Sequence, residues 1–354
     1  NNGIVVFAAG IVLYILLFGI LYHFYHFQYW LDAIIYGLLF AVQYVFSFAA
    51  RIFLNNVLFV SSGIVNTLIT AIVNVVLIVT FKWDVRSLYV AASIGCVLQI
   101  IMIEAKLKLV SHFRLVDIEK SVCKQLLQFS FPLCLATISY WLLSGFTRVS
   151  IVNNLGASEN GQFAVASRFA SIITIIVNVF QFAWNEIAYL MSNDLNRKQK
   201  YSESINLLFK TIVLGSAILC LIIKPVYPYM IDSKYASALI LVPVTIIGVA
   251  FNSMAGFLGT FFMAEKKTNH ILYTTLCVAA LNCSAYYLFI QKWALMGAAT
   301  ILTISFLILM ILRLIILSRK FDVQFDYRNM LYLLVFAVVL WVYFTSHTII
   351  IDCL

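Results

Sequence analysis

The sequence predicts an all-α fold, that of a polytopic membrane protein, and three observations support this prediction. Hydrophobic residues make up 64% of the 354 residues and charged residues only 10%, whereas soluble domains carry roughly 25% charged residues. The mean hydropathy is +1.01. Eleven apolar runs are long enough to cross a bilayer, since a helix needs about 20 mainly apolar residues to do so. Because a lipid-facing backbone must satisfy its own hydrogen bonds, these runs are predicted to be helices.

Short polar segments separate the runs along the whole chain. The runs lie near 3–22, 30–50, 57–81, 87–104, 128–152, 162–190, 206–225, 238–263, 270–290, 293–316 and 329–350. None shows the ten-residue alternation of a membrane barrel. The chain begins at Asn1, and no charged segment with a small-residue cleavage site precedes the first run, so we expect no signal peptide and a chain that is part of a longer protein.

Basic residues are concentrated in alternate segments between the runs, which predicts the orientation. One set holds Arg51, the clusters at 104–128 and 197–210, Lys266 and Lys267, and the cluster that begins at Arg313 and ends at Arg328. The opposite set holds only Lys82, Arg86, Lys224, Lys234 and Lys292. Lys and Arg favour cytoplasmic loops, so residue 1 is expected on the cytoplasmic side. The net charge of +9 is then explained by this bias and by attraction to anionic headgroups. We therefore expect membrane lipids as partners and no nucleic acid.

A charge-rich segment between the fourth and fifth runs divides the chain. We predict an incomplete N-terminal lobe of four spans at 1–105, a cytoplasmic linker at 106–127, and a C-terminal lobe with the following spans at 128–354. A weak internal similarity relates 74–92 to 282–300: each copy has Asn in a span, then a Lys-Trp turn, then a small-residue helix. The copies lie six spans apart, as in a two-lobed transporter built of six-helix bundle repeats around a central cavity.

The sixth run carries the most informative pattern. Its polar residues recur at intervals of four and three, which places them on one helical face. At 1.5 Å per residue this stripe is about 27 Å long, close to the thickness of the hydrocarbon core. It consists of Ser167, Ser171, Thr174, Asn178, Gln181 and Asn185. Any one of them could hydrogen-bond to a neighbouring helix, but the continuity of the stripe favours the lining of a water-filled cavity.

Three other runs repeat this pattern more weakly. The residues are Gln43, Ser47 and Arg51 in the second run, Ser62, Asn66, Thr70 and Asn74 in the third, and Thr137, Trp141, Ser144 and Arg148 in the fifth. Polar faces in both halves of the chain favour a large central cavity.

Charged residues within predicted spans cost a few kcal/mol each and usually have a function. Arg148 lies near the outer end of its run and Arg168 about two turns into the next one. A guanidinium offers forked donors that phosphate oxygens accept, although Arg148 could instead snorkel to the interface. Glu186 is predicted to pair with a neighbouring Arg or Lys, or to titrate as a coupling group, and we favour the pairing.

No cofactor or metal site is predicted. The seven cysteines are scattered, mostly in apolar runs, without a CxxC or another metal spacing. Of the five histidines, only His23 and His26 are close in sequence, and we interpret them as interfacial. The chain has no P-loop, so any energy input would come from an ion gradient.

The segment 125–169, followed by FQFAWNEIAYL, resembles the start of the second half of the Wzx-type oligosaccharide flippases. These belong to the multidrug/oligosaccharidyl-lipid/polysaccharide exporter (MOP) superfamily. The resemblance rests on Phe131-Pro132 at the head of a span, Arg148 before a hydrophobic pair, Leu155-Gly156, and Gly161 before a small-residue helix. Two positions depart from the family. It often has Asp where this chain has Thr147, and Pro where this chain has Asn185-Glu186, which puts a local ion pair and a helix break in doubt.

The resemblance implies a function. The protein would move an undecaprenyl-diphosphate-linked oligosaccharide to the outer leaflet by alternating access, with polysaccharide-assembly proteins as partners. Two sets of residues would bind this substrate: Arg51, Arg148 and Arg168 the diphosphate, and Asn74, Asn178, Gln181 and Asn185 the sugar hydroxyls. It would also make the fifth span the family's seventh, so that two spans precede Asn1 and one follows Leu354.

Two alternatives stay open. An ion-coupled multidrug exporter of the same superfamily should carry acidic residues in the first lobe, and the first four runs hold only Asp32 and Glu104, both near run ends. A membrane glycan polymerase or glycosyltransferase usually needs a long external loop or an acidic cluster, and the sequence has neither. We therefore predict a transporter in the inner (plasma) membrane and not an enzyme.

Overall fold

A computed structural model describes residues 2–26, 28–53, 55–112, 119–191 and 196–345. Within these ranges, nine side chains are not described: Tyr25, His112, Glu186, Tyr189, Leu190, Met191, Gln291, Lys292 and Met330. All regular secondary structure in the described part of the chain is helical. Eleven described segments are long and apolar enough to cross a membrane. The prediction of an all-α, polytopic membrane protein is therefore confirmed.

Ten α-helices follow one another in the described residues. They are α1 (Asn2–Tyr25), α2 (Trp30–Ile52), α3 (Asn56–Val79), α4 (Arg86–Leu107), α5 (Lys120–Leu155), α6 (Ala157–Met191), α7 (Arg197–Met230), α8 (Val242–Ala264), α9 (Asn269–Phe321) and α10 (Met330–Thr345). Short 3-10 segments occupy Val110–His112, Ser233–Leu241 and Tyr327–Asn329.

The helix α9 contains two membrane spans. Ala294 has a φ of 49° and a ψ of −146°, which interrupts the helical geometry and forms the turn of a helical hairpin. Its first arm is Asn269–Ile290 and its second arm is Trp293–Phe321. With α9 counted twice, the ten helices provide the eleven spans that the apolar runs predicted.

The chain forms two compact units, Asn1–Leu127 and Gln128–Leu354. The predicted functional lobes and the linker at 106–127 stay predictions. Helix α4 extends to Leu107 and α5 begins at Lys120, so both ends of the predicted linker are helical. Residues 113–118 of that linker lie outside the described residues.

In the first unit, α2, α3 and α4 pack together. The apolar core is small and consists of Ala50, Leu58 and Ile103 with the residues around them. Helices α3 and α4 approach closely at Gly95, where a Cβ atom would lie 2.2 Å from Thr70 Oγ1 and 2.3 Å from Asn66 Oδ1. Only glycine fits there, and polar side chains of α3 fill the space.

In the second unit, α8 is the central helix. It packs against α6, α7 and both arms of α9, and most of its residues are buried. At one end of α8, Phe257 and Phe261 pack against Trp184 of α6 and Tyr201 of α7, with ring centroids 4.6 Å apart for Tyr201 and Phe261. These rings fix α6 in the unit and thereby fix which face of α6 is left outside the core.

Candidate functional site

The polar stripe of α6 lies beside the buried face of that helix. Residues at the same three and four spacing, Phe163, Ala166, Ala170, Ile173 and Val177, form the buried face. The stripe follows one position later in each turn, about 100° around the helix. Its members are half-buried or exposed, and Ser171 and Asn178 are exposed. The stripe is therefore not buried in the core of the second unit.

The two halves of the stripe, Ser167 to Thr174 and Asn178 to Asn185, differ in their hydrogen bonding. Ser167 donates to the Phe163 carbonyl at 2.7 Å, and Ser171 to the Arg168 carbonyl at 2.6 Å. Among the described residues, no side-chain hydrogen bond is formed by Asn178 or Gln181, and the buried Oδ1 of Asn185 has no partner. A carboxamide at membrane depth without a partner is costly. This half of the stripe therefore needs water, a ligand or another polar surface.

The two arginines of the second unit that the sequence predicted to bind substrate, Arg148 and Arg168, are both exposed. Arg148 is eight residues before the turn at Gly156 and Arg168 twelve residues after it, so each lies about 12 to 18 Å along its helix from that turn. No carboxylate pairs with either guanidinium among the described residues. Arg168 is adjacent to the polar stripe, since it follows Ser167 directly.

The two departures from the flippase pattern have visible consequences. Thr147 is fully buried and donates to the Leu143 carbonyl of its own helix at 3.0 Å, so it forms no ion pair with Arg148. Helix α6 continues through Asn185 to Met191 without a break. The side chain of Glu186 lies outside the described residues, so its predicted pairing or coupling role stays a prediction.

In the first unit, the polar residues of three helices meet at one side chain, Gln99 of α4. Its Oε1 accepts from Gln43 Nε2 at 2.7 Å and from Asn66 Nδ2 at 2.8 Å. Its Nε2 lies 3.5 Å from Ser47 Oγ and 3.4 Å from Ser62 Oγ. Gln99 is only 2% exposed. We call these five residues the Gln99 cluster. It is internally bonded, as expected of polar residues that join membrane helices.

The sequence singled out most of this cluster but not its centre. A single glutamine in the fourth apolar run has no polar neighbour at helical spacing, so periodicity gave no signal. The signal was the residue type itself, because one carboxamide inside an apolar run must find a partner.

Arg51 and Asn74, the predicted binding residues of the first unit, lie far apart. Arg51 is in the last turn of α2, with its guanidinium carbon 6.0 Å from the centroid of Phe59. Asn74 is fifteen residues after Phe59 on α3, a distance of about 22 Å along the helix. Its Oδ1 is buried without a partner among the described residues. The structure does not bring these two residues to one site.

Arg313 was assigned to a cytoplasmic loop from the sequence, and that assignment is wrong. It lies inside the second arm of α9 and is 5% exposed. Its guanidinium donates to the Ala255 carbonyl at 2.5 Å, to Thr275 Oγ1 at 2.9 Å and to Thr274 Oγ1 at 3.3 Å. It thus joins α8 to both arms of α9 through neutral acceptors. Its isolation in the apolar stretch ILMILRLIIL was the available signal.

Lys224 was assigned to an external loop, and it too lies within a helix. It is 9% exposed on α7. Its ammonium donates to the Tyr343 carbonyl and lies 4.8 Å from the centroid of the Tyr343 ring, which joins α7 to α10. The loop assignment failed because it counted basic residues near the ends of apolar runs. Such a count does not distinguish a residue in a loop from one in the last turns of a buried helix.

The described residues hold no group of three His, Cys, Asp or Glu side chains that could bind a metal ion. The polar groups described above are amides, hydroxyls, guanidinium groups and the ammonium group of Lys224, which is bonded to the Tyr343 carbonyl. Such a set can bind a ligand through hydrogen bonds and charge, and it supplies no nucleophile with an adjacent base.

Comparison with known proteins gives a result at the level of structure. No protein-family model matches the chain. No curated protein matches it in sequence. The chain is similar to an outward-facing multidrug resistance MATE family transporter of the MOP superfamily, with 15% identity, a TM-score of 0.71, and coverage of 90% of this chain and 76% of that chain.

Two further structures agree. A mutant of the Vibrio cholerae MATE transporter VcmN shows 16% identity and a TM-score of 0.70, with coverage of 90% of this chain and 77% of that chain. A MATE in the straight conformation shows 14% identity and a TM-score of 0.69, with coverage of 90% and 76%. These similarities concern the fold. The chain is a multi-pass membrane protein by its eleven described apolar segments, and it has the fold of these MATE transporters.

Proposed function

We propose that this chain is part of a transporter that moves an organic solute across the inner membrane by alternating access. The observation that carries the proposal is the Asn178–Asn185 half of the α6 stripe, which lies along a membrane-spanning helix. There Asn178 and Gln181 form no described side-chain hydrogen bond, and the buried Oδ1 of Asn185 has no described partner. In a transporter, water and substrate would satisfy them in turn. In a purely structural bundle, these positions would be apolar or bonded to a neighbouring helix.

For the substrate, the structural neighbours favour an ion-coupled multidrug exporter over an oligosaccharide flippase. One of these neighbours is a multidrug resistance transporter. At 15% identity such a likeness concerns the fold, so the extension to this chain is our inference. An exporter of this kind would bind a solute against polar and aromatic side chains and would be driven by an ion gradient.

A specific observation keeps the flippase as a second candidate. In the described helices of the first unit, the carboxylates are those of Asp32 and Glu104, and both are engaged. Asp32 pairs with Arg86 at 3.0 Å, and Glu104 accepts from the Val110 amide at 3.2 Å. An organic cation would find no free carboxylate there. The exposed Arg148 and Arg168 instead suit an anionic substrate such as a lipid-linked diphosphate.

One reconstituted system tests both candidates. The full-length protein in proteoliposomes would be assayed for movement of an organic-cation dye under an imposed ion gradient, and for movement of a labelled undecaprenyl-diphosphate oligosaccharide. Dye movement that needs the gradient supports the exporter, and movement of the labelled lipid supports the flippase. Failure of both at normal protein incorporation would contradict the transport proposal.

The α6 stripe is tested with a matched pair of variants. Asn178→Leu removes a carboxamide that has no described partner, and we expect at least a tenfold loss of transport. Ser284→Ala removes an exposed polar group that already donates to the Ala280 carbonyl of its own helix, and transport should change less than twofold. Equal behaviour of the two variants would remove the stripe from the proposed substrate path.

A further inference from the structure

Five basic groups lie together where α8 and the two arms of α9 reach one end of the second unit. Lys266 and Lys267 form the turn between α8 and α9, His270 is in the first turn of α9, and Arg319 and Lys320 are in its last turn. We call this set the α9 basic cluster. Its four Lys and Arg side chains are exposed.

The cluster is held together without a negative charge. Lys320 Nζ lies 3.1 Å from His270 Nε2, and because an ammonium group can only donate, the imidazole nitrogen accepts. Lys267 also acts electrostatically on His270. The neutral imidazole of His270 thus lies beside the ammonium group of Lys320 and within the electrostatic influence of Lys267.

The carboxylates next to the cluster are occupied by other partners. Glu265 pairs with Arg197 at 3.4 Å, and Asp322 pairs with Lys198 at 2.5 Å. Among the described residues, no carboxylate pairs with Lys266, Lys267, Arg319 or Lys320. The cluster therefore offers several ammonium and guanidinium donors to an anion from outside the chain.

The position of the cluster indicates which anion. It marks the ends of three membrane-crossing segments, so it lies at the boundary between water and lipid. Within about three turns of the cluster along α9, Tyr273 and Leu276 on the first arm and Ile311 and Ile315 on the second arm expose apolar side chains. A ligand that fits both the basic cluster and these apolar side chains has an anionic headgroup and hydrocarbon chains. Basic residues at helix ends attract such lipids.

We propose that the α9 basic cluster is a binding site for the phosphate headgroup of an anionic phospholipid. The phosphate oxygens accept from Lys267, Lys320 and Arg319, and the acyl chains lie along the exposed apolar side chains of the α9 hairpin. The negative charge of the bound phosphate offsets the repulsion between the basic groups and joins the α8–α9 turn to the end of α9. The site is independent of the transported substrate.

The test compares two double variants of the full chain that change the net charge equally. Lys267→Gln with Lys320→Gln removes two members of the cluster. Lys82→Gln with Lys234→Gln removes two exposed lysines of the segments predicted to face the opposite side of the membrane. For each protein in detergent, the thermal midpoint is measured with added phosphatidylglycerol, and separately with phosphatidylcholine, because a ligand that binds only the folded state raises this midpoint.

We expect phosphatidylglycerol to raise the midpoint of the wild-type protein more than phosphatidylcholine does. In the cluster variant, the apparent Kd for phosphatidylglycerol should rise about thirtyfold, which corresponds to about 2 kcal/mol, whereas the control variant should keep the wild-type value. The charge-retaining double variant Lys267→Arg with Lys320→Arg should also keep it, which separates loss of binding from loss of folding.

Three outcomes would overturn the proposal. The first is an equal response of the wild-type protein to the two lipids. The second is a cluster variant that retains the response to phosphatidylglycerol. The third is full replacement of phosphatidylglycerol by free glycerol phosphate, since that result would make the cluster a site for a soluble phosphate and not for a lipid.

Discussion

The Gln99 cluster and the α6 stripe are built from the same residue types at the same helical spacing, yet they differ in hydrogen bonding. In the first unit, polar residues of α2, α3 and α4 turn toward one another and bond through Gln99. In the second unit, Asn178 and Gln181 lie beside the core face of α6 with no described partner. Helical period thus predicts which residues share a face, but the packing of the neighbouring helices decides what that face contacts.

The internal hydrogen bonding of the Gln99 cluster depends on the close approach of α3 and α4 at Gly95. A substitution at Gly95 is therefore expected to change stability the most. In Gly95→Ala the new Cβ would lie 2.2 Å from Thr70 Oγ1 and 3.0 Å from the Asn66 backbone oxygen, so α3 and α4 must separate. We expect a loss of about 3 kcal/mol in the free energy of unfolding, measured by the midpoint of unfolding in SDS.

Gly63→Ala is the matched control in the same unit. No atom lies within 4 Å of the position of its Cβ, and alanine favours a helix over glycine by about 0.5 to 1 kcal/mol. This variant should be slightly stabilised. A similar loss of unfolding free energy in both variants would mean that the Gln99 cluster does not depend on the close approach of α3 and α4.

The second prediction compares the two regions directly. Gln99→Leu leaves the amides of Gln43 and Asn66 without their acceptor and should cost about 1 to 3 kcal/mol of stability. Asn178→Leu removes no described hydrogen bond and should change stability by less than about 0.5 kcal/mol. Unfolding in SDS measures both. If Asn178→Leu proved as destabilising as Gln99→Leu, the α6 stripe would be structural and the comparison would fail.

The third prediction concerns Arg313, a buried charged residue whose hydrogen bonds are made within the second unit. Its forked guanidinium reaches Ala255 and Thr275 together, which one ammonium group cannot do with the same geometry. Arg313→Lys should therefore lose about 1 kcal/mol in the free energy of unfolding. The exposed Arg319→Lys should leave it unchanged within about 0.5 kcal/mol. A neutral effect of Arg313→Lys would show that the charge alone matters at this position.

The sequence predicted the helical content well because lipid imposes it. A run such as 57–81 has one available structure in a bilayer, and the structure places α3 there at Asn56–Val79. The α6 stripe was likewise predictable, since it needs only the helical period. Gln99 and Arg313 were not, because each is a single polar residue whose partners come from other helices. Their partners depend on tertiary packing, which no local pattern encodes.

The smallest effect is expected at the exposed ion pair between Lys198, in the first turn of α7, and Asp322, which directly follows α9, because water competes with this contact. The hydrogen bond and the charge of Lys198 lower the pKa of Asp322 below its usual value. A lowered pKa in the folded state favours folding while the carboxylate is ionised, and this contribution is lost as the pH falls through the lowered pKa. In Lys198→Gln, the pKa of Asp322 should return to its ordinary range, which an NMR titration of labelled Asp322 can measure.

Stability should respond only weakly to that change. The side chains of Lys198 and Asp322 are 56% and 68% exposed, so solvent and salt screen their attraction. The unfolding midpoints of wild type and Lys198→Gln should differ slightly at neutral pH and converge in acid. A difference as large as that of Gln99→Leu would contradict the rule on which the comparison rests, that a polar contact stabilises this protein chiefly where the bilayer excludes water.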